Sequence, residues 1–160
     1  MKWDGDTFLP DFLKYDFKNF ISKLINNKKP VLGVPKGLTV FKGFNDKYYY
    51  RPNSFEEEIR IFSNNFTNTF EKDVLWERFQ NRVESQYVSS DKNVFIEYKD
   101  VTKNEFSNWN ASYLGMGLRK RRELKDFKII HSLTLNKEDD ISTITEALGF
   151  NTIDSEKIFN

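Results

Sequence analysis

The chain contains no cysteine, one histidine, four prolines and seven glycines in 160 residues. Nowhere does it stay apolar for the roughly 20 residues that a membrane-spanning helix needs. Each shortage removes a class of protein. Without cysteine there are no disulfides, no thiolate metal sites and no cysteine nucleophile, which suits a reducing compartment. A lone histidine, His131, cannot build an imidazole metal cluster, so neither a metal nor any other cofactor is expected. The opening MKWDGDTFLPDFLKY places acids and a proline where a secretory signal needs an unbroken apolar core. These features predict a cytoplasmic protein with no membrane partner. Charge of one sign is also missing: 25 Lys+Arg face 24 Asp+Glu, a net charge of +1. No global field draws the protein to nucleic acid or to an anionic membrane, so any electrostatic recognition is local.

What is abundant is aromatic. Sixteen phenylalanines, seven tyrosines and three tryptophans supply the largest apolar surface per residue and should dominate the core. The length fits one ordinary domain spanning 1–160. Pro10 and Asp11 open a helical pattern whose inner side is Leu13, Phe17, Phe20, Ile21, Leu24 and Ile25, and the polar run before Pro30 ends it. From 31 to 51, Gly33, Pro35, Gly37 and Gly43 punctuate short apolar runs, as in strands and turns. A hairpin is predicted between 38–42 and 47–51, with Tyr48 and Tyr50 on one face and Tyr49 on the other. Two of the three rings are expected in the core and one at the surface.

Ser54 and Glu57 have capping-box spacing and predict a helix with the stripe Phe55, Ile59, Phe62, Phe66 and Phe70. Leu75, Phe79, Val83 and Tyr87, with Trp76 alongside, predict another over 73–87. Val94, Ile96 and Tyr98 alternate with Phe95, Glu97 and Lys99 as in a strand with one buried face. Thr102 and Glu105 repeat the capping-box spacing, and Gly115 and Gly117 interrupt the helix they open. A strand with Ile129, Leu133 and Leu135 inward follows, then a short helix over 140–148 with Ile141, Ile144 and Leu148 inward and Gly149 as its stop. The final residues are expected to fray. The fold class predicted is α+β, one domain with a mixed or antiparallel sheet packed against several amphipathic helices.

Chemistry-bearing candidates are few. Arg119, Lys120, Arg121 and Arg122 form the strongest local charge, read as a basic turn. A solvated or internally paired cluster is its first explanation, because Glu123 and Asp126 dilute it; a partner-binding patch is the second and nucleic-acid contact the third. His131 falls on the apolar side of its predicted strand and Ser132 on the opposite face, which argues for a structural histidine and against a Ser-His pair. Gly115-Met116-Gly117 lacks the third glycine of a dinucleotide fingerprint and the Gly-Lys-Ser/Thr of a phosphate loop. The acids Glu56, Glu57 and Glu58 and the run Glu138-Asp139-Asp140 do not have calcium-loop spacing; helix capping explains the first and a solvated loop the second.

Gly43-Phe44, Tyr48-Tyr49-Tyr50-Arg51, Ser54-Phe55-Glu56-Glu57-Glu58, Trp76 and LGMGLRKR over 114–121 sit in an Asn-, Lys- and Phe-rich chain without a catalytic motif. In size and texture it resembles the bacterial immunity proteins that accompany contact-dependent growth inhibition and related polymorphic toxins. The resemblance implies a cytoplasmic, non-enzymatic protein that binds a cognate toxin domain, often a nuclease, and blocks its active site or substrate entry. It carries over no functional residue, and the near-neutral charge departs from the acidic inhibitors often paired with basic nucleases. The surface expected to meet the toxin combines Tyr49 with Glu56, Glu57 and Glu58 beside the hairpin. The alternative is a nucleic-acid-binding accessory protein using Arg119, Lys120, Arg121 and Arg122, with binding that falls steeply with salt. A third reading, a small hydrolase or transferase, requires sequence-distant acids to converge in a pocket. Stoichiometry and oligomeric state are left open.

Overall fold

Two long strands run side by side through the middle of the molecule, β2 (Val31–Lys42) and β6 (Gln86–Asp100), paired in parallel from Val31 opposite Gln86 to Lys42 opposite Asp100. The structure, a computed structural model, describes residues 5–28, 31–52, 56–57, 59–62, 86–103, 118–135 and 141–160. Outside β6 lies β1 (Thr7–Phe8), and beyond β2 come β3 (Tyr48–Tyr50) and then β7 (Asn151–Ile153). β4 (Glu56–Glu57) and β5 (Ile61–Phe62) also pair with β2, so the chain turns at 43–47 and returns along β2 in three short pieces. Among the described residues every pairing except β2–β6 is antiparallel, which makes the sheet mixed, and with the helices the fold is α+β as the sequence predicts.

The middle of β2 carries a proline, which has no N–H to give a ladder. There the register shifts between Val34 and Lys36 and again between Lys36 and Gly37. Ser90 repairs the gap: its hydroxyl accepts from the Lys36 N–H at 2.7 Å and donates to the Lys92 carbonyl at 2.8 Å. At Gly37 the Phe95 ring lies so close that a Cβ would fall 2.2 Å from it.

The sheet is covered on both sides. α1 (Asp11–Ile25) buries Leu13, Phe20 and Leu24, as its spacing predicts, while Ile25 is exposed. Phe20 and Leu24 pack with Val31, Val88, Val94 and Phe95; full burial of such side chains contributes about 1.5–3 kcal/mol each. Leu13 joins Leu38, Val40, Ile96 and Ile158, the last from α4 (Ser155–Phe159). On the opposite face Phe41 and Tyr49 meet Leu124, Phe127 and Ile130 of α2 (Leu118–Leu135) and Ile141 of α3 (Ile141–Ala147).

Several sequence expectations are corrected. The helix predicted from Ser54 does not form in its described part, because Glu56–Glu57 and Ile61–Phe62 are strands bonded to β2; Phe66 and Phe70 lie outside the described residues. Gln86 and Tyr87 open β6 rather than closing a helix, and the rest of that predicted helix lies outside the described residues. Val94 through Glu97 are all buried, so β6 buries both faces instead of one. Ile129, Leu133 and Leu135 belong to helix α2, with Leu124, Phe127, Ile130 and Thr134 inward. Thr102 uses its N–H and hydroxyl on Asp100 Oδ1, at 3.0 and 2.6 Å; the helix expected after it lies outside the described residues. On α3 only Ile141 of the three expected positions is buried; Ile144 and Leu148 are exposed. The final residues dock rather than fray: β7 pairs with β3, Ile158 is 1% exposed, and the Asn160 carbonyl accepts from the Asp11 N–H at 3.2 Å.

Candidate functional site

The residues singled out at the hairpin separate. The turn itself forms as predicted, with Phe41 opposite Tyr49 and Lys42 opposite Tyr48. Asp46 takes a positive φ of 60° in it and pairs with Lys42 at 3.1 Å, a hydrogen bond that raises the lysine's pKa. Tyr48 and Tyr50 are half-buried on one face, whereas Tyr49 is 1% exposed and its hydroxyl accepts from Asn45 Nδ2 at 2.8 Å. All three rings therefore pack inward, and Tyr49 cannot reach a partner without unfolding the core. Glu56 and Glu57 hold β4 positions opposite Gly37 and Lys36; Glu58 lies outside the described residues. Glu138, Asp139 and Asp140 and the Gly115-Met116-Gly117 run also lie outside them.

The basic run is not a turn. Arg119, Lys120 and Arg121 fall within the first turn of α2, where Arg121 is half-buried, and Arg122, which follows, is exposed. Glu123 and Asp126, the acids expected to dilute it, are buried, at 4% and 6% exposed. His131, half-buried, stands edge-on to Phe44 at 5.3 Å and stacks on Phe127 at 6.3 Å, the position of a structural ring.

Two ion clusters hold α2 to the sheet. In the larger, Lys99 Nζ lies 2.7 Å from Glu97 Oε1 and 3.7 Å from Glu123 Oε1, and it also bonds Asp6. Arg60 NH2 stands 3.9 Å from Glu97 Oε2, NH1 donates to Thr7 Oγ1 at 3.3 Å, and the guanidinium lies over the Phe95 ring at 4.7 Å. Burial alone would lower the Lys99 pKa, but the carboxylates of Glu97, Glu123 and Asp6 together outweigh it and hold the ammonium well above its ordinary value. A lysine so fixed is a permanent cation, and the cluster is a structural brace. In the smaller, Arg51 Nε donates to both oxygens of Asp126 at 2.9 Å, NH1 bonds the Leu148 carbonyl, and the guanidinium stacks on Phe150 at 4.1 Å. Arg60 had no signature in the sequence, since a buried arginine looks like any surface one until its partners are placed.

Described residues line two surface grooves. One, of about 630 Å³, lies between the hairpin turn and the α3–β7–α4 segment; Asp46, Glu146, Asp154 and Glu156 line it with Tyr48, against Lys47 as the one lysine among its described lining. The other, of about 960 Å³, follows α2 and carries Arg121, Arg122, Lys125 and Lys128 beside aliphatic side chains. Among the described residues no three His, Cys, Asp or Glu side chains are placed to hold a metal ion, and no helix is long and apolar enough to cross a membrane. The architecture defines the class as a mixed-sheet α+β protein with helices on both faces. The chain matches no protein-family model, no curated protein and no solved structure.

Proposed function

We propose that this is a cytoplasmic immunity protein that binds a cognate toxin domain and obstructs its active site or substrate entry, with binding and not catalysis as its activity. The observation that carries the reading is the acidic groove beside the hairpin, where Glu146, Asp154 and Glu156 are exposed together around Tyr48. A nuclease substrate surface is basic because it must hold phosphates, so an acidic groove on a rigid sheet is its electrostatic complement. The acids expected for this task, Glu56, Glu57 and Glu58, give way to a set that the docked final segment assembles at the other end of the hairpin. This arrangement also answers the near-neutral charge: inhibition needs local acidity, and the groove supplies it while the net charge stays at +1.

The test is co-purification with the toxic domain encoded immediately upstream, followed by protection of cells expressing that domain. Asp154→Lys with Glu156→Lys should slow association by about tenfold or more at low salt and remove protection. Unchanged affinity in the folded double variant would overturn the placement of the site. Absence of any interaction with the toxic domain would overturn the function.

A further inference from the structure

We propose that the groove along α2 is a docking site for an acidic, amphipathic helical segment of a partner protein. It is a different groove from the one assigned to the toxin, and it stands or falls separately.

The first argument is the sorting of charge on α2. The helix carries cations and acids in close succession, yet the fold sends Glu123 to Lys99 and Asp126 to Arg51, inside the molecule. Arg121, Arg122, Lys125 and Lys128 line the groove on the other side. A run that reads as mixed in sequence therefore presents cations alone among the described residues of the groove wall. The second argument is the apolar flank. Ile129, Leu133 and Leu148 line the same groove, and Ile144, one turn before Leu148, is 39% exposed. Aliphatic side chains left at a surface beside a row of cations call for an occupant with both characters.

The shape selects among anions. From Arg121 to Leu133 the helix rises about 18 Å, enough to lie alongside roughly three turns of a second helix with anchors at i, i+3 or i+4, and i+7. Nucleic acid is held by phosphate contacts together with aromatic rings on which bases stack. The described lining sets aliphatic side chains beside its cations, a surface suited to leucine-like anchors. The occupant that fits is a helix with glutamates or aspartates on one flank and leucine-like residues on the other.

Fluorescence anisotropy tests this with three labelled probes: a synthetic peptide of about four turns with glutamates on one face and leucines on the other, the same composition scrambled to scatter the leucines, and a single-stranded oligodeoxynucleotide. The amphipathic peptide should bind the full chain at least about tenfold more tightly than either rival. Arg122→Glu with Lys125→Glu should weaken it by about tenfold or more, and Leu133→Ser or Leu148→Ser should weaken it while leaving its salt dependence in place. Thermal melts establish that each variant is folded; Leu148, already exposed, serves where Leu133 does not. Equal binding of the scrambled peptide, tighter binding of the oligonucleotide, no saturable binding of the amphipathic peptide, or unchanged affinity in the folded variants would each overturn the proposal.

Discussion

Arg51 shows how much one side chain is asked to do. It directly follows the return strand of the hairpin, holds Asp126 of α2, bonds the Leu148 carbonyl just past α3 and covers Phe150. Arg51→Ala should cost about 2–3 kcal/mol, because Asp126 is left buried without its charged donor. Arg51→Lys should recover little, since an ammonium cannot bond Asp126 and Leu148 while lying flat on a ring; urea unfolding of the three proteins measures both. Lys99→Met should cost more, on the order of 3–5 kcal/mol, by removing the buried ammonium that Glu97, Glu123 and Asp6 share. The sign of its pH dependence follows from the raised pKa. The contribution is fully present below the ordinary lysine value of about 10.4 and is lost as the pH rises through the folded value above it. The wild-type-to-Lys99→Met gap should thus stay constant between about pH 6 and 9 and narrow only in strongly alkaline solution; a gap that closes near neutrality would show that Lys99 is not held charged. Of these groups the sequence displayed the charges but not the pairings. Arg51, Arg60, Lys99, Glu123 and Asp126 come from four separate stretches, and only the placed sheet and α2 bring them together.

At the scale of elements, legibility followed how many constraints a pattern had to satisfy. α1 was readable because one buried face, a proline at its start and a proline just after its end all agreed, and the hairpin because turn residues and tyrosine alternation agreed. α2 was misread because Ile129, Leu133 and Leu135 mimic alternation, while the helical spacing of Leu124, Phe127, Ile130 and Thr134 that governs its burial includes a threonine and is easily overlooked. The capping box at Ser54 failed for a different reason. Glu56–Glu57 and Ile61–Phe62 lie where β2 presents open backbone groups, and pairing with them overrides local propensity. Glu56 and Glu57 of the expected binding patch lie on β4 instead of on that helix. The central pair has its own signature in Gly37, whose missing side chain makes room for Phe95. Gly37→Ala should cost about 1–3 kcal/mol by overpacking, and adding Phe95→Leu should restore part of it; a double variant no better than the sum of the singles would show that the two positions are not coupled.

Across the whole molecule, a net charge of +1 conceals segregation by tertiary structure. Acids from α2 are drawn inward to Lys99 and Arg51, which leaves cations along the groove of that helix. The docked final segment brings Asp154 and Glu156 beside Glu146 and the hairpin turn. Neither groove was legible in the sequence, because each depends on an element misplaced there: α2 read as a turn and strand, and β7 with α4 read as a fraying end. The acidic groove in particular exists only while that end is attached, and the attachment rests on Ile158 in the core and on the pairing of β7 with β3. Two perturbations should therefore separate stability from recognition. Ile158→Ala should lower stability by about 2–5 kcal/mol, through the cavity it leaves under the sheet. Asp154→Lys with Glu156→Lys reverses the acids at the N-cap and first turn of α4 and should lower stability by about 0.5–2 kcal/mol, leaving the chain folded. If the acidic groove is the toxin-facing surface, the charge-reversed protein should remain folded and still fail to protect. Loss of protection only in Ile158→Ala, in step with its unfolding, would instead mean that these acids take no part in recognition.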